Sequence, residues 1–328
     1  MLLATLLALA AFLFSLAAVR GVMVLLVRQA ILDHPNERSS HSVPTPRGGG
    51  IGLLAAVLAG GLVLIGLGQA PRGLDAILIL ALALALLSWI DDRRGLSPLA
   101  RFPVQVAAVI AGLFTFAAPP LVLGQAATGF DWVLAGIFWL WFVNLFNFMD
   151  GIDGIAGVET AAIALGAALI AILAGSSDGV MPLAMILMAS AIGFLVWNWA
   201  PARIFLGDVG SIPLGFLQGW LLLKLAAGGA WAAALILPAA YLGDATLTLL
   251  RRLIRGEKIW QAHRSHFYQR AVQNGLDHAQ VSLRFLIANL ILIALAVLSL
   301  VHAWIALALA ALTVAGLLVN LARAKAGP

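Results

Sequence analysis

The sequence contains no cysteine and very few charged residues. Lysine and arginine number 19 and the acidic residues 14 in a chain of 328, so only 10% of the residues are charged, whereas 63% are hydrophobic. The lack of cysteine excludes disulfides, thiolate metal ligands and cysteine nucleophiles. The lack of charge, combined with apolar runs of about 20 residues along the whole chain, indicates a helical membrane protein.

The apolar runs are long enough to cross a bilayer, because a helix rises about 1.5 Å per residue and the hydrocarbon core is about 30 Å thick. We therefore predict an all-α polytopic membrane protein with about eleven transmembrane helices in one integral-membrane domain, residues 1–328. The first run lacks a basic leader and is predicted to be a retained helix. The predicted spans are 3–27, 49–69, 74–90, 104–123, 129–147, 155–174, 181–198, 211–227, 230–250, 282–301 and 303–322.

The basic residues are distributed unevenly between the two sides of the membrane. Seventeen of the 19 lysines and arginines fall on one side, and only Arg72 and Lys224 fall on the other. Because positive residues mark cytoplasmic loops, the N-terminus is predicted to be periplasmic and the C-terminus cytoplasmic. The same bias accounts for the net charge of +5 without nucleic acid as a partner. The inside loops hold nearly all polar residues and are 28–48, 91–103, 147–154, 199–210 and 251–281.

Five of the 14 acidic residues form three clusters at the ends of apolar runs. The first cluster is Asp91 with Asp92, the second contains Asp150 and Asp153, and the third is Asp208 between two glycines. A carboxylate at a hydrocarbon boundary is costly unless a cation or hydrogen bonds compensate it, so such clusters indicate a site. The structural alternatives are neutralisation of the first pair by the two arginines that follow it, and helix capping by the third-cluster aspartate.

The second cluster continues a regular pattern of polar side chains. Asn144 and Asn147, like Asp150 and Asp153, are three residues apart and would share a helix face if the helix persisted. The glycines that follow each aspartate are predicted to open the helix into a turn at the membrane surface. Four oxygen-bearing side chains converging there suit a hard cation such as Mg²⁺, or a polar substrate.

Two further inside loops carry basic residues. Arg47 precedes three glycines, which favours either close approach of the backbone to an anionic ligand or simple helix packing. His263 and His266 are three residues apart in the longest inside loop. They lack an evident third zinc ligand and, beside Arg270, are better suited to phosphate and sugar hydroxyls.

Five motifs occur in a fixed order in these loops, namely PTPRGG, DD, NxxNxxDGIDG, PARxFLGDVGS and HRSHFYQR. Together, over residues 33–270, they resemble the polyprenyl-phosphate N-acetylhexosamine-1-phosphate transferase family. The resemblance implies an enzyme that uses Mg²⁺, with Mn²⁺ as a substitute, to transfer N-acetylhexosamine 1-phosphate from a UDP-sugar to undecaprenyl phosphate, releasing UMP. It also implies a bacterial inner-membrane protein whose active site faces the cytoplasm, with a homodimer left open.

The resemblance divides the site among individual residues. Asp208 is implied to be the Mg²⁺ ligand, helped by Asn147. Asp91 and Asp92 are implied to be the catalytic pair that holds the lipid phosphate or removes its proton, with their separate roles left open. The other implied assignments are Arg101, Asp150 and Asp153 as catalytic residues, and Arg47, Asn144, Asp153, Arg203, His263, His266 and Arg270 as substrate-binding residues.

Finer roles and the choice of sugar also follow from the resemblance. Asp153 is implied to read the uracil end of the nucleotide, and Arg101 stands where the translocase branch of the family has a lysine. The last motif departs from the consecutive histidines of that branch and is closer to O-antigen initiators. The implied donor is therefore UDP-GlcNAc or a 6-deoxy relative such as UDP-FucNAc or UDP-QuiNAc, in the first membrane step of O-antigen or another cell-envelope polysaccharide.

Two other functions compete with the transferase. A cation- or proton-coupled transporter needs charges near the bilayer midplane, where Asp244, Lys224 and Glu159 are candidates but form no evident chain. An inactive scaffold of a polysaccharide assembly complex would keep the fold but need not keep all the acidic residues, and none of the expected ones is missing.

Overall fold

The computed structural model describes residues 1–33, 43–95, 98–117, 128–175, 178–258 and 263–324. Parts of the predicted inside loops 28–48, 91–103 and 251–281 therefore lie outside the described residues. Within the described residues the chain is almost entirely helical, which confirms the all-α prediction. The helices are α1 Leu2–Arg28, α2 Gly50–Gly66, α3 Leu74–Arg94, α4 Pro98–Leu113, α5 Thr128–Phe148, α6 Ile155–Leu173, α7 Val180–Asn198, α8 Asp208–Ala227, α9 Trp231–Ile236, α10 Ala239–Ile254, α11 Phe267–Gln273, α12 His278–Leu298 and α13 Ala303–Arg323.

Eight helices in the described part of the chain are long and apolar enough to cross a membrane, which agrees with a polytopic membrane protein. Two further apolar helices, at residues 50–66 and 100–113, are shorter. The prediction of one continuous span over 230–250 is wrong, because the chain breaks between α9 and α10 at Leu237 and Pro238. Proline lacks a backbone N–H and interrupts the helix ladder there. The total of eleven spans and their orientation stay predictions.

Helix α8 is the central element of the bundle. Nearly every residue of its apolar window is buried, and it contacts α2, α3, α5, α6 and α9. Small residues permit the close approach to α5, since a Cβ on Gly219 would collide with the ring of Trp139. The indole Nε1 of Trp139 in turn donates a hydrogen bond of 2.8 Å to the carbonyl of Phe216. The first residue of this central helix is Asp208.

The start of α2 packs against the start of α8. Just before it, a short antiparallel pair forms from β1 Leu32–Asp33 and β2 Thr45–Pro46. The N–H groups of Gly48 and Gly49 donate to the carbonyl of Phe205 at 3.0 and 2.8 Å. A Cβ on Gly50 would collide with the backbone of Gly210. These glycines therefore bring two helix ends together, which supports the packing alternative raised by the sequence.

Candidate active site

Asp208 lies at the N-terminus of α8, immediately after Gly207. The φ angle of Gly207 is +76°, and a Cβ there would lie 3.3 Å from the Oδ2 atom of Asp92. The side chain of Asp208 does not cap its helix, because α8 has no side-chain capping hydrogen bond. Its carboxylate instead binds Arg47 at 2.5 Å and Arg101 at 3.4 Å. The capping alternative is therefore wrong, and the partial positive charge of the helix N-terminus adds to the attraction for a carboxylate.

The neighbouring carboxylates of Asp91 and Asp92 have different partners. Asp92 binds the same guanidinium nitrogen of Arg47 that binds Asp208, at 3.1 Å, and its Oδ2 accepts a hydrogen bond of 3.3 Å from the N–H of Val209. Asp91 binds Arg101 at 2.5 Å. Two arginines thus connect the aspartate pair at the end of α3 to the aspartate at the start of α8.

One of the two arginines that follow the aspartate pair in sequence contacts an aromatic ring. Arg93 lies over the ring of Trp89, with 5.3 Å between the guanidinium carbon and the ring centroid. The side chain of Arg94 lies outside the described residues. The aspartates are therefore compensated by Arg47 and Arg101, which come from other segments of the chain.

Charge accumulates in this cluster. Burial opposes the charge of Arg47, but Asp208 and Asp92 outweigh it and hold the pKa of the guanidinium above its ordinary value. Burial likewise raises the pKa of the Asp150 carboxyl, which Arg47 lowers and which the nearby Asp208 and Asp92 raise further. Three acidic motifs distant in sequence therefore influence one another electrostatically in the folded chain.

The asparagine motif contributes one side chain to the first turn of α8, the helix that begins at Asp208. Asn147, in the last turn of α5, accepts a hydrogen bond of 2.5 Å through its Oδ1 from the hydroxyl of Ser211 in the first turn of α8. The amide of Asn144 instead donates to the carbonyl of Leu140 in its own helix, at 2.8 Å. The sequence pattern predicts that the four polar side chains of this motif converge. The structure differs, because Asn144 bonds within its own helix.

Asp153 lies in the loop between α5 and α6 and contacts the start of α12. Its Oδ2 accepts a hydrogen bond of 3.0 Å from the N–H of Ala202 and lies 3.2 Å from Nδ1 of His278. The hydroxyl of Ser282 donates to its backbone carbonyl at 2.8 Å. The loop turns at Gly154, as predicted, and the N–H of Gly154 donates to Asn198 at 2.9 Å. Asp153 is thus fixed by α12 and by the segment before Arg203.

The histidine loop is anchored by a buried aspartate of α10. Asp244 accepts hydrogen bonds from the N–H groups of Phe267 and Tyr268, at 2.9 and 3.0 Å, and lies 3.2 Å from Nδ1 of His266. A carboxylate at a helix N-terminus satisfies donors that the helix itself leaves unpaired. The ring of His266 stacks on that of His263, with centroids 4.9 Å apart. Asp244 therefore supports the start of α11 rather than a transport pathway.

The histidine loop also contacts the asparagine–aspartate loop. The hydroxyl of Tyr268 donates a hydrogen bond of 3.0 Å to the carbonyl of Phe148, two residues before Asp150. Burial, followed by the charges of His266 and Arg252, lowers the pKa of His263 to about 4. At neutral pH His263 is therefore an uncharged hydrogen-bonding group.

Two arginines assigned to the substrate do not join the acidic cluster. Arg203 is exposed, and its guanidinium lies over the ring of Trp197 at 5.8 Å. Arg270 is also exposed, in α11. Among the described residues no ion pair connects either arginine to the clustered aspartates. Their substrate-binding roles stay predictions, as do those of the other assigned residues.

Several polar residues of this region were missed by the sequence motifs. Ser211 is the last residue of the PARxFLGDVGS motif but was assigned no role, and His278 lies outside all five motifs. Asp244 lies inside an apolar run, which gave no indication of its contacts. Gln105 follows Arg101 by four residues, but the sequence alone did not indicate a role for it. Its Oε1 is buried without a hydrogen-bond partner among the described residues. Gln105 lines a small cavity together with Ser88, Asp91, Arg101 and Asp208.

The donor set of the cluster suits Mg²⁺ when substrate supplies the remaining ligands. No group of three or more histidine or acidic side chains is arranged as a complete metal site within the described residues. Mg²⁺ usually takes only one or two protein carboxylates and completes its shell with water and phosphate. The carboxylates of Asp208 and Asp92 both bind one nitrogen of the Arg47 guanidinium, so the space between these two carboxylates favours a cation. The amide oxygen of Asn147, which accepts a hydrogen bond from Ser211, is a neutral oxygen near the start of α8.

The fold and this cluster define a class of protein, namely a polytopic membrane protein with a compact site of aspartates, asparagine and arginines at its helix ends. Residues 74–226 match the family model described as glycosyl transferase family 4. The match runs from the first residue of α3 almost to the end of α8, and therefore includes the aspartate pair, the asparagine motif and Asp208.

Curated relatives agree with this match. The chain is 29% identical to the probable undecaprenyl-phosphate N-acetylglucosaminyl 1-phosphate transferase of Bacillus subtilis, over 90% of this chain and 86% of the relative. It is 28% identical to the decaprenyl-phosphate N-acetylglucosaminephosphotransferase of Mycobacterium leprae, over 80% and 75%. It is 36% identical to the phospho-N-acetylmuramoyl-pentapeptide-transferase of Trichormus variabilis, but over only 52% and 50%.

The family match and the two long-range relatives agree with a resemblance to the polyprenyl-phosphate N-acetylhexosamine-1-phosphate transferase family. The resemblance drawn from the five motifs is thereby confirmed. None of the matched proteins is named as a transporter, so the alternative of an ion-coupled transporter has no support from these comparisons.

Proposed function

We propose that the protein transfers N-acetylhexosamine 1-phosphate from a UDP-sugar to undecaprenyl phosphate and releases UMP. The single observation that carries the proposal is that Arg47 and Arg101 both bind Asp208 while each also binds one aspartate of the pair at 91 and 92. Such a cluster combines metal-binding carboxylates with guanidinium groups, which bind phosphate in bidentate fashion. Both substrates of the proposed reaction are phosphorylated.

In the proposed reaction an oxygen of the lipid phosphate attacks the phosphorus that carries the sugar. The bond from that phosphorus to the bridging oxygen of the UDP-sugar breaks, and the bridging oxygen leaves with UMP. A lipid phosphate is largely ionised near neutral pH, since a phosphate monoester has its second pKa near 6. The main requirement is therefore to position the lipid phosphate against the diphosphate of the UDP-sugar. Removal of a proton by Asp91 or Asp92 is less important.

The proposed roles follow from the partners of each side chain. Asp208 and Asn147 would hold Mg²⁺, and the ion would supply positive charge to neutralise the diphosphate and the charge that develops on departing UMP. Arg47 and Arg101 exchange part of their contact with the aspartates for contact with phosphate oxygens. Asp92, bound to Arg47 and to the N–H of Val209, keeps that arginine beside the metal ligand. Asp91 does the same for Arg101.

The nucleotide and sugar are assigned to the two loops around this cluster. Asp153, held by His278 and the N–H of Ala202, is proposed to read the uracil end. His263 and His266 are proposed to bind sugar hydroxyls or phosphate, with His263 acting as a neutral group because its pKa is about 4. The proposed setting is the cytoplasmic face of a bacterial inner membrane, in the first membrane step of a cell-envelope polysaccharide.

The donor sugar is tested directly with the purified full-length protein. It is incubated with Mg²⁺, undecaprenyl phosphate and either UDP-GlcNAc, UDP-FucNAc or UDP-QuiNAc, and UMP release is measured. We expect UMP and a lipid-linked sugar diphosphate with at least one donor. If no donor releases UMP while the protein still binds UDP-sugar, the proposed reaction is wrong. If only UDP-GlcNAc releases UMP, the assignment to 6-deoxy sugars is wrong, but the proposed transferase activity is supported.

A further inference from the structure

An open groove runs between α12 and α13, outside the site described above. The two helices are joined by a short turn, so they lie side by side with opposite directions. A cavity of about 280 Å³ lies between them. A Cβ added at Gly316 would meet no atom within 4 Å, which shows that this wall of the groove is open. The remaining lining of the membrane-embedded part is Ile287, Ala288, Ile291, Thr313 and Leu317.

The groove ends in a polar pocket at the start of α12 and the end of α13. A second cavity, of about 400 Å³, shares Arg284, Gly316 and Asn320 with the first and is also lined by Arg323. One continuous depression therefore has an apolar part within the bundle and a basic part at the helix ends. This division matches the division of a phospholipid into acyl chain and phosphate headgroup.

The two arginines at the basic end of the groove form no salt bridge within the described part of the chain. Arg284 donates hydrogen bonds of 2.9 Å to the carbonyl of Gln280 and to Oδ1 of Asn320, both of which are neutral. Among the described residues neither Arg284 nor Arg323 forms a salt bridge with a carboxylate. A guanidinium has five N–H donors, so Arg284 retains donors for an anion after these two bonds.

The groove lies on the opposite side of α12 from the proposed active site. Ser282 and Asn289 contact Asp153 and Glu159 of the neighbouring segment, and their seven-residue separation places them on one face of the helix. Arg284 is two residues beyond Ser282, a rotation of about 200° around the helix axis. A headgroup bound at Arg284 is therefore directed away from Asp153.

The groove is also too short for a polyprenyl chain. Arg284 and Ile291, which mark its two ends on α12, are seven residues apart and therefore separated by about 10 Å along the axis. This length accommodates part of one acyl chain. We propose that the groove binds an anionic phospholipid of the surrounding membrane, with its phosphate against Arg284 and Arg323 and an acyl chain along Ile287 and Ile291.

The proposal concerns a lipid of the same membrane face as the acidic cluster. The contact between His278, the first residue of α12, and Asp153 places the start of α12 beside the proposed active site. If the basic-residue bias marks this face as cytoplasmic, the bound lipid belongs to the inner leaflet, where anionic headgroups attract arginine. The bound lipid would tie the C-terminal helix pair together at its basic end.

Binding is measured by native mass spectrometry of the full-length protein titrated with phosphatidylglycerol, with phosphatidylcholine as the neutral lipid. We expect specific binding of phosphatidylglycerol only. Arg284→Gln and Arg323→Gln should each weaken it about fivefold, because each arginine near the surface contributes about 1 kcal/mol. Gly316→Leu should abolish it without altering charge, since the new side chain fills the open wall of the groove.

The matched control is Arg28→Gln, which removes one exposed arginine from the end of α1 and should leave binding unchanged. Equal weakening by this control would show a non-specific charge effect and overturn the proposal. Unchanged binding in Gly316→Leu, or full displacement by glycerol 3-phosphate, would show that a free anion rather than a lipid occupies the pocket. Preferential binding of undecaprenyl phosphate at this groove would also overturn it. None of these results depends on the transferase activity.

Discussion

Asp91 and Asp92 are adjacent in the chain, yet their carboxylates bind different arginines. Asp92 binds Arg47, which also binds Asp208, whereas Asp91 binds Arg101. Two adjacent residues near the end of a helix point in directions that differ by about 100°, so both aspartates are within reach of the start of α8 from different sides. The two carboxylates therefore contact two different guanidinium groups.

This separation predicts a specific pattern of energetic coupling. In double-mutant cycles on kcat/KM, Arg47→Gln and Asp92→Asn should be coupled by about 1 kcal/mol or more, because the two side chains are in direct contact. Arg47→Gln and Asp91→Asn should be coupled more weakly, because their connection runs through Arg101 and Asp208. Coupling of equal size in both cycles would mean that the aspartates share one function, contrary to the observed geometry.

His278 is predicted to act on the nucleotide through Asp153. His278→Ala removes the imidazole whose Nδ1 accepts a hydrogen bond of 3.3 Å from the N–H of Asp153, and it should raise KM for the UDP-sugar by about 5-fold, since such a hydrogen bond contributes about 0.5–1.5 kcal/mol. KM for the lipid phosphate should change little. His278→Asn places a hydrogen-bonding atom near the position of Nδ1 and should restore part of the affinity. Equal losses for both substrates would indicate general damage to α12 instead.

The contact between the histidine loop and the asparagine–aspartate loop is predicted to tolerate no added methyl group. A Cβ on Gly151 would collide with the hydroxyl of Tyr268, which donates to the carbonyl of Phe148. Gly151→Ala should therefore destabilise the protein by about 1–3 kcal/mol, measured as a lower melting temperature in detergent. Tyr268→Phe in the same chain removes the colliding atom and should recover part of the loss. Gly66→Ala, in open space, should have no such effect.

The lowered pKa of His263 predicts a defined dependence of stability on pH. The unfolded imidazole takes up a proton near pH 6.5, whereas the folded one does so only near pH 4. The unfolded state therefore binds more protons in this interval, and the stability contributed by His263 is lost as the pH falls from about 6.5 to 4. His263→Gln should reduce the fall in melting temperature over this range. An identical fall in wild type and variant would contradict the assignment.

The sequence predicted the helices better than the contacts between them. Apolar runs of membrane length correspond to helices because burial in lipid requires internal backbone hydrogen bonding, which leaves little choice of structure. One exception is the predicted span 104–123, which is wrong because α4 ends at Leu113 and a turn follows. The other is the break at Leu237 and Pro238, which lies inside a continuous apolar run. The proline itself was the available signal.

The residue composition of the candidate site was predictable, but its pairing was not. Clustering of the acidic motifs followed from placing their loops on one side of the membrane. Which arginine binds which aspartate depends on how the starts of α2 and α8 pack at Gly50 and Gly210, a tertiary contact without a local sequence signal. Asp244 was considered only as a transport residue, because its role at the start of α11 depends on a segment 23 residues later.

The most direct test of the central proposal is UMP release by wild-type protein and by Asp208→Asn, each with Mg²⁺ and with EDTA. The account predicts that wild type releases UMP only with Mg²⁺ and that Asp208→Asn is slower by about 100-fold or more, because the variant lacks a carboxylate ligand for the metal that stabilises the departing phosphate. Full activity of Asp208→Asn, or of wild type in EDTA, would contradict it.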